Sequence, residues 1–245
     1  MKKVLLSITA LALVAGSMTF TSCKKGENDP AISFKSRKGR LAGEWTVSSM
    51  ETSGTDSQTS GSTTTTSTNS MNYDGTTLTM VDASGGNTTT TKNSVSDWSF
   101  TFEKDGTWSS NMAWTTTEVT YAGSSGSVTT AITTCNAYTE MSSGNWSFVG
   151  KDKAGDYKGK ERVVLNTTSS TSTSPAWNCT GSEKDSQTST YANGENSEIW
   201  DIDQLKSKEI IVMMESNMTW SSTPNGGGGS SQSSTSTGSM TLTAK

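Results

Sequence analysis

Through most of this chain apolar residues recur at every second position, the period of a half-buried β-strand. Trp98, Phe100 and Phe102 share one face of residues 96–103. Lys104-Asp105-Gly106 then supplies a turn, and Trp108, Met112 and Trp114 continue one face of the next segment, which makes this the clearest hairpin. Leu41, Trp45 and Val47 share a parity at the start of the first strand, and Leu78 and Met80 share one over 76–82. Val128, Ile132 and Tyr138 align over 127–141, with Ala131, Cys135 and Ala137 on the other face. Trp146 with Phe148, residues 162–168, Trp200 with Ile202, the run Ile210, Val212, Met214, Met218 and Trp220, and finally Met240 with Leu242 complete the series. Turn-rich stretches at 151–158, 206–208 and 225–229 separate the later strands. Beyond the N-terminal run no segment repeats apolar residues at helical spacing. Roughly nine to eleven short strands without helical interruptions predict an all-β fold. The expected form is an antiparallel up-and-down meander closed into a barrel, with a β-sandwich as the alternative. Closure has the advantage of removing exposed strand edges.

The N-terminus follows a different pattern. Lys2 and Lys3 precede an almost wholly apolar stretch over 4–16, with small and polar residues leading to Cys23. This is the layout of an export signal, expected over 1–22. It is shorter than the about 20 apolar residues that span a bilayer. Phe20-Thr21-Ser22-Cys23 resembles the lipobox of bacterial lipoproteins, with Phe20 where Leu is commonest. The resemblance implies a diacylglyceryl group on the Cys23 thiol and cleavage just before it, hence an outer-membrane-anchored lipoprotein facing the periplasm or the cell surface. An ordinary secretory cut after Ala15-Gly16-Ser17 is the competing reading. Each buried CH₂ contributes about 0.8 kcal/mol, and two chains already anchor stably.

Charge divides the remainder. The chain has 19 basic and 23 acidic residues. Residues 23–40 form a polar and basic tether with six basic and two acidic groups, and from 41 to 245 there are 11 basic against 21 acidic. An acidic domain does not bind nucleic acid through its phosphates. The basic cluster Lys35-Ser36-Arg37-Lys38-Gly39-Arg40 reads as a solvated linker or a short helix before the first strand. Contact with anionic headgroups, at about 1 kcal/mol per basic residue, is the other option.

Composition limits the core. Only 30% of the residues are hydrophobic, and Ser with Thr supply about a third of the chain, so disorder competes with strand over tracts such as 60–70 and 230–239. Threonine favours strands, and eight Trp are too many for a solvated tail. With Cys23 lipidated, Cys135 and Cys179 remain as a pair, for which export predicts a disulfide.

Gly43-Glu44-Trp45 at the start of the domain resembles the Gly-x-Trp signature of lipocalins. The run from Trp98 to Trp108, then Gly144-Asn145-Trp146, then the stretch from Ile202 to Val212 resemble lipocalin-like lipoproteins of Gram-negative bacteria. The resemblance implies that 41–245 form one lipocalin-like barrel with Gly43 and Trp45 at its floor. It also implies a late Arg stacked over the floor Trp. Here the last Arg is Arg162, which leaves Lys206, Lys208 or Lys245 for that place. The function implied is non-catalytic binding of a small or apolar ligand, by a monomer. A surface structural or adhesin-like β-protein displaying Ser/Thr-rich loops is the alternative.

Catalytic signals are few. The chain has no histidine, which removes Ser-His-Asp and Cys-His catalysis and the usual His-containing zinc sites. Residues 226–229 lack the Gly-Lys-Ser/Thr of a phosphate loop. Asp201 and Asp203 are a carboxylate pair two positions apart, as glycosidases require in principle, but a pair is expected by chance among 23 acidic residues. No enzyme activity, metal or cofactor is expected. Trp177 and Trp220, beside polar loops, are candidates for stacking on a glycan, or else cap the barrel ends.

Overall fold

A computed structural model describes residues 36–122, 130–149, 161–175, 184–222 and 230–245. The expected signal, Cys23 and most of the tether, Val128, the turn at 151–158, Trp177, Cys179 and the 225–229 loop lie outside these residues.

The described chain holds one short helix, α1 (Arg37–Leu41), and eleven strands. These are β1 (Gly43–Ser60), β2 (Thr63–Tyr73), β3 (Thr77–Ser84), β4 (Asn87–Phe102), β5 (Thr107–Ala122), β6 (Thr130–Val149), β7 (Glu161–Pro175), β8 (Lys184–Thr190), β9 (Asn196–Leu205), β10 (Glu209–Ser222) and β11 (Ser230–Ala244). Ten of them close an antiparallel ring in meander order, with β11 returning to β1 and β8 outside the ring. The barrel expected from the alternation is therefore present, and the sandwich alternative is set aside.

The barrel has two unlike halves. At one pole β1 also bonds β4 directly, Gly43–Thr46 against Ser99–Phe102. The β2–β3 hairpin takes no part there, so fewer strands surround this floor than the upper wall. All the buried apolar side chains among the described residues form one cluster in this half. Trp45, Val47, Phe102, Val163, Leu165, Ile202, Leu205, Ile210, Val212 and Leu242 are among its almost wholly enclosed members. Phe100 and Phe102 stand at its centre, with Trp200 edge-on to both at 5.0 and 6.0 Å and Trp146 edge-on to Phe102 at 5.9 Å. Such edge-to-face pairs add about 0.5–1.5 kcal/mol each beyond their burial.

The other half of each strand is Ser- and Thr-rich on both faces. The 60–70 and 230–239 tracts, where disorder competed, are strand: β1 and β2 pair from Met50↔Tyr73 to Ser60↔Thr63, and β11 pairs β1 out to Ser60↔Ser230. Their order comes from ladders begun in the core, since their own side chains supply no apolar face.

Leu41 is not in the first strand as its parity suggested. It ends α1, where it is 1% exposed. The Ser36 hydroxyl caps this helix by accepting from the Gly39 amide at 3.0 Å, and Lys38 and Arg40 lie in its last turn, where the helix dipole favours cations.

Two features yield predictions. The β6–β7 register shifts between Ser143 and Gly144. A methyl group on Gly144 would collide with the Asn166 carbonyl oxygen. Gly144→Ala is expected to cost about 2 kcal/mol or more in urea unfolding. At the β2–β3 and β4–β5 turns, Asp74 accepts from the Thr76 and Thr77 amides and Asp105 from the Thr107 amide, at 2.8–2.9 Å. These backbone hydrogen bonds hold both carboxyls below the usual carboxylate range. A lowered folded-state pKa stabilises above the unfolded value of about 3.9 and is lost as pH falls through the folded value. The melting temperature should therefore fall below about pH 4, and less steeply in an Asp74→Asn, Asp105→Asn variant.

Candidate functional site

The floor is built from the N-terminal end of the domain. Trp45 is 2% exposed, and its indole N–H donates to the Leu41 carbonyl at 2.8 Å. Gly43 begins β1 at φ +151°, a backbone that favours glycine. Both residues of the Gly-x-Trp pair thus sit where α1 turns into β1, beneath the core. The other buried indoles also have acceptors: Trp108 the Asn166 carbonyl, Trp146 the Glu103 carbonyl and Trp200 the Glu198 carboxylate. Desolvation pushes the Glu198 carboxyl upward, against the opposing Trp200 hydrogen bond.

The cation found over an indole comes from α1 and stands over Trp146 rather than Trp45. Lys38 of α1 sits 5.7 Å from the Trp146 ring centroid, and Arg37 pairs with Glu161 of β7. Lys206 lies 3.7 Å from Glu209 and Lys245 lies 3.9 Å from Asp97. The basic residues that read as linker therefore help to close the floor. Asp201 stands opposite Arg162 in the β7–β9 ladder, while Asp203 falls at the β9–β10 register shift. Cys135 lies on β6 opposite Thr117, and Trp220 lies on β10 opposite Gln232.

At the upper edge of the core, register fixes which side chains face inward. Val212, Met240, Met50, Tyr73 and Leu78 form one row across β10, β11, β1, β2 and β3. The next row outward along the axis is Met214, Gly238, Thr52, Met71 and Met80. Met240–Met50 and Met71–Met80 are directly opposed pairs, and diagonal steps join Met214 to Met240 and Met50 to Met71. Five methionines thus make an unbroken arc across five adjacent strands. Direct partners have Cβ atoms about 4.5–5.5 Å apart, and diagonal neighbours lie within reach of long side chains. Met50 and Met240 are buried, while Met71, Met80 and Met214 are partly buried against the core.

Beyond the arc the interior is polar. A recess of about 330 Å³ is lined by Asp56, Asn69 and Asp82 together with Ser67, Ser84 and Thr89. The Asn69 amide donates to Asp56 at 2.8 Å. Farther round the wall Trp114 and Tyr138 stack at 5.3 Å, partly exposed, and Thr116 donates to Asn93 at 2.7 Å. Sequence reading missed this chamber because its residues come from Ser/Thr-rich stretches without an apolar rhythm. The Trp114 and Met112 parity was the one available signal.

Among the described residues no group of three or more His, Cys, Asp or Glu is placed to hold a metal ion, and no helix is long and apolar enough to cross a membrane. No protein-family model, curated protein or solved structure matches this chain.

Removing the Trp45 N–H tests the floor. Trp45→Phe leaves the Leu41 carbonyl without its indole donor and is expected to cost about 1–3 kcal/mol in urea unfolding, with the circular-dichroism spectrum of the folded state retained.

Proposed function

We propose that this chain is a membrane-anchored bacterial lipoprotein whose lipocalin-like barrel is a non-catalytic binding module for a small ligand. The observation that carries this reading is the chamber. A barrel packed solid along its whole length would have no place for a ligand. This one has a packed floor, a soft methionine layer and then a polar recess, with a stacked aromatic pair elsewhere on the wall. The tether supports the anchoring half of the reading. Its described end, α1, joins the barrel at the floor pole.

A Cys135–Cys179 bridge belongs to the same reading. β7 ends at Pro175, four residues before Cys179, and pairs alongside β6 as far as Thr139, four residues from Cys135. Reductant should lower stability by about 2–4 kcal/mol; an unchanged melting temperature would refute the bridge. For anchoring, wild type should partition with membranes and Cys23→Ser should be released, so two identical distributions would remove the lipid. For binding, tryptophan emission is titrated with a neutral oligosaccharide and with the uncharged apolar dye N-phenyl-1-naphthylamine. Saturable change with one of them, lost in Trp114→Ala, is expected. No saturable change with either leaves the surface structural protein as the better reading.

A further inference from the structure

We propose that neighbouring thioethers within the methionine arc Met214, Met240, Met50, Met71 and Met80 bind a soft monovalent cation, copper(I), which enters through the acid-lined recess above them. Three observations converge on this. The first is ligand type. Thioethers are soft donors that select copper(I) over hard or borderline divalent ions, and the chain has no histidine to compete. The second is placement. The five side chains run without a gap across β10, β11, β1, β2 and β3 and project to one side of the wall, as the registers require. Gly238 and Thr52 interleave with them, Thr52 packing closely against the Gly238 backbone. Methionine is also a common filler of irregular core space. An arc at the upper edge of the core, however, puts Met71, Met80 and Met214 only partly under cover.

The third observation is charge. Asp82 is one inward step above Met80, opposite Asn69, which is one inward step above Met71. Asp56 hydrogen-bonds Asn69 and lines the same recess. Glu140 faces inward opposite Met112 on β5. Among the described residues, no lysine or arginine occupies an inward position of this half; Lys92 lies on the outer face. A recess of one sign concentrates the opposite ion. An apolar ligand would gain nothing from these carboxylates, whereas a cation arriving at a neutral thioether site gains from all of them. The site rests on the arc itself and stands or falls separately from the binding of an organic ligand.

The test uses full-length protein in detergent, competing for copper(I) against a chromophoric chelator under ascorbate and without oxygen, with silver(I) titrated by calorimetry in a separate buffer free of ascorbate and chloride. Wild type should withdraw copper(I) from the chelator. Met71→Leu with Met80→Leu should weaken both ions by roughly tenfold or more. Leucine nearly conserves the volume, so the melting temperature should hold; Met214→Leu with Met240→Leu repeats the test on the other limb. Asp56→Asn with Asp82→Asn should slow loading and flatten its salt dependence while sparing most of the equilibrium affinity. Failure of wild type to compete overturns the proposal, and so does wild-type affinity in both leucine pairs. Zinc(II) bound as tightly and lost in the asparagine pair would overturn it too, since that marks a carboxylate site. Dye binding without cation binding would overturn the copper site and leave the organic-ligand reading standing.

Discussion

A β-wall with hydroxyls on both faces carries almost no information about its own register. Sliding a strand by one residue normally moves its apolar set to the wrong face, and that penalty specifies pairing. Ser and Thr impose no such penalty. In this barrel the constraint comes from the floor, where Trp45, Phe100, Phe102, Trp146 and Trp200 can pack in only one alignment of β1, β4, β6 and β9. Each ladder then runs upward from a fixed starting pair, and β1 and β11 keep step from Ser49↔Thr241 to Ser60↔Ser230. Irregularities near the floor, at Ser48 and at Gly144, set the phase of everything beyond them.

The same dependence explains why the chamber is where it is. The core ends in methionine because the wall widens when β2 and β3 join between β1 and β4. A flexible thioether fills a tapering space better than a branched side chain does. Above that level no apolar group is needed to hold the strands, so inward positions are free to be acidic or hydroxylic. Burial and the nearby Asp74 and Asp97 charges push the Tyr73 phenol up, and Tyr73 lies 5.1 Å from Trp98 at the junction of the two regions.

What the sequence disclosed follows the same division. Alternation exposed the floor strands, the Trp98–Trp108 hairpin and the late Ile210–Val212 run, because those residues must be buried on one side. Gly43 was singled out with Trp45 by the lipocalin resemblance and not by alternation. It did not reveal the upper halves of β1, β2, β4 and β11, whose polar residues have no period to read. Strand β8 (Lys184–Thr190) was missed for that reason. A short helix before the first strand was one reading of the basic run and is present as α1, but its role stays hidden until Lys38 is found over Trp146. The methionine arc was spread over five separate segments and became contiguous only through cross-strand register.

Strand β8 continues along β7 the line that β9 begins, Ser169↔Thr190 following Thr167↔Asn196 after the excursion at 191–195. Among the described residues β8 bonds only β7, and β10 beyond Met213 bonds only β11. The ring is thus sewn tightly at its base and left unstitched along one side of its upper wall. Among the described residues no backbone ladder crosses that seam, so the wall is held there less tightly than at the floor. Amide exchange at the facing edges of β8 and β10 would then report on how often the seam opens, independently of the stability of the barrel as a whole.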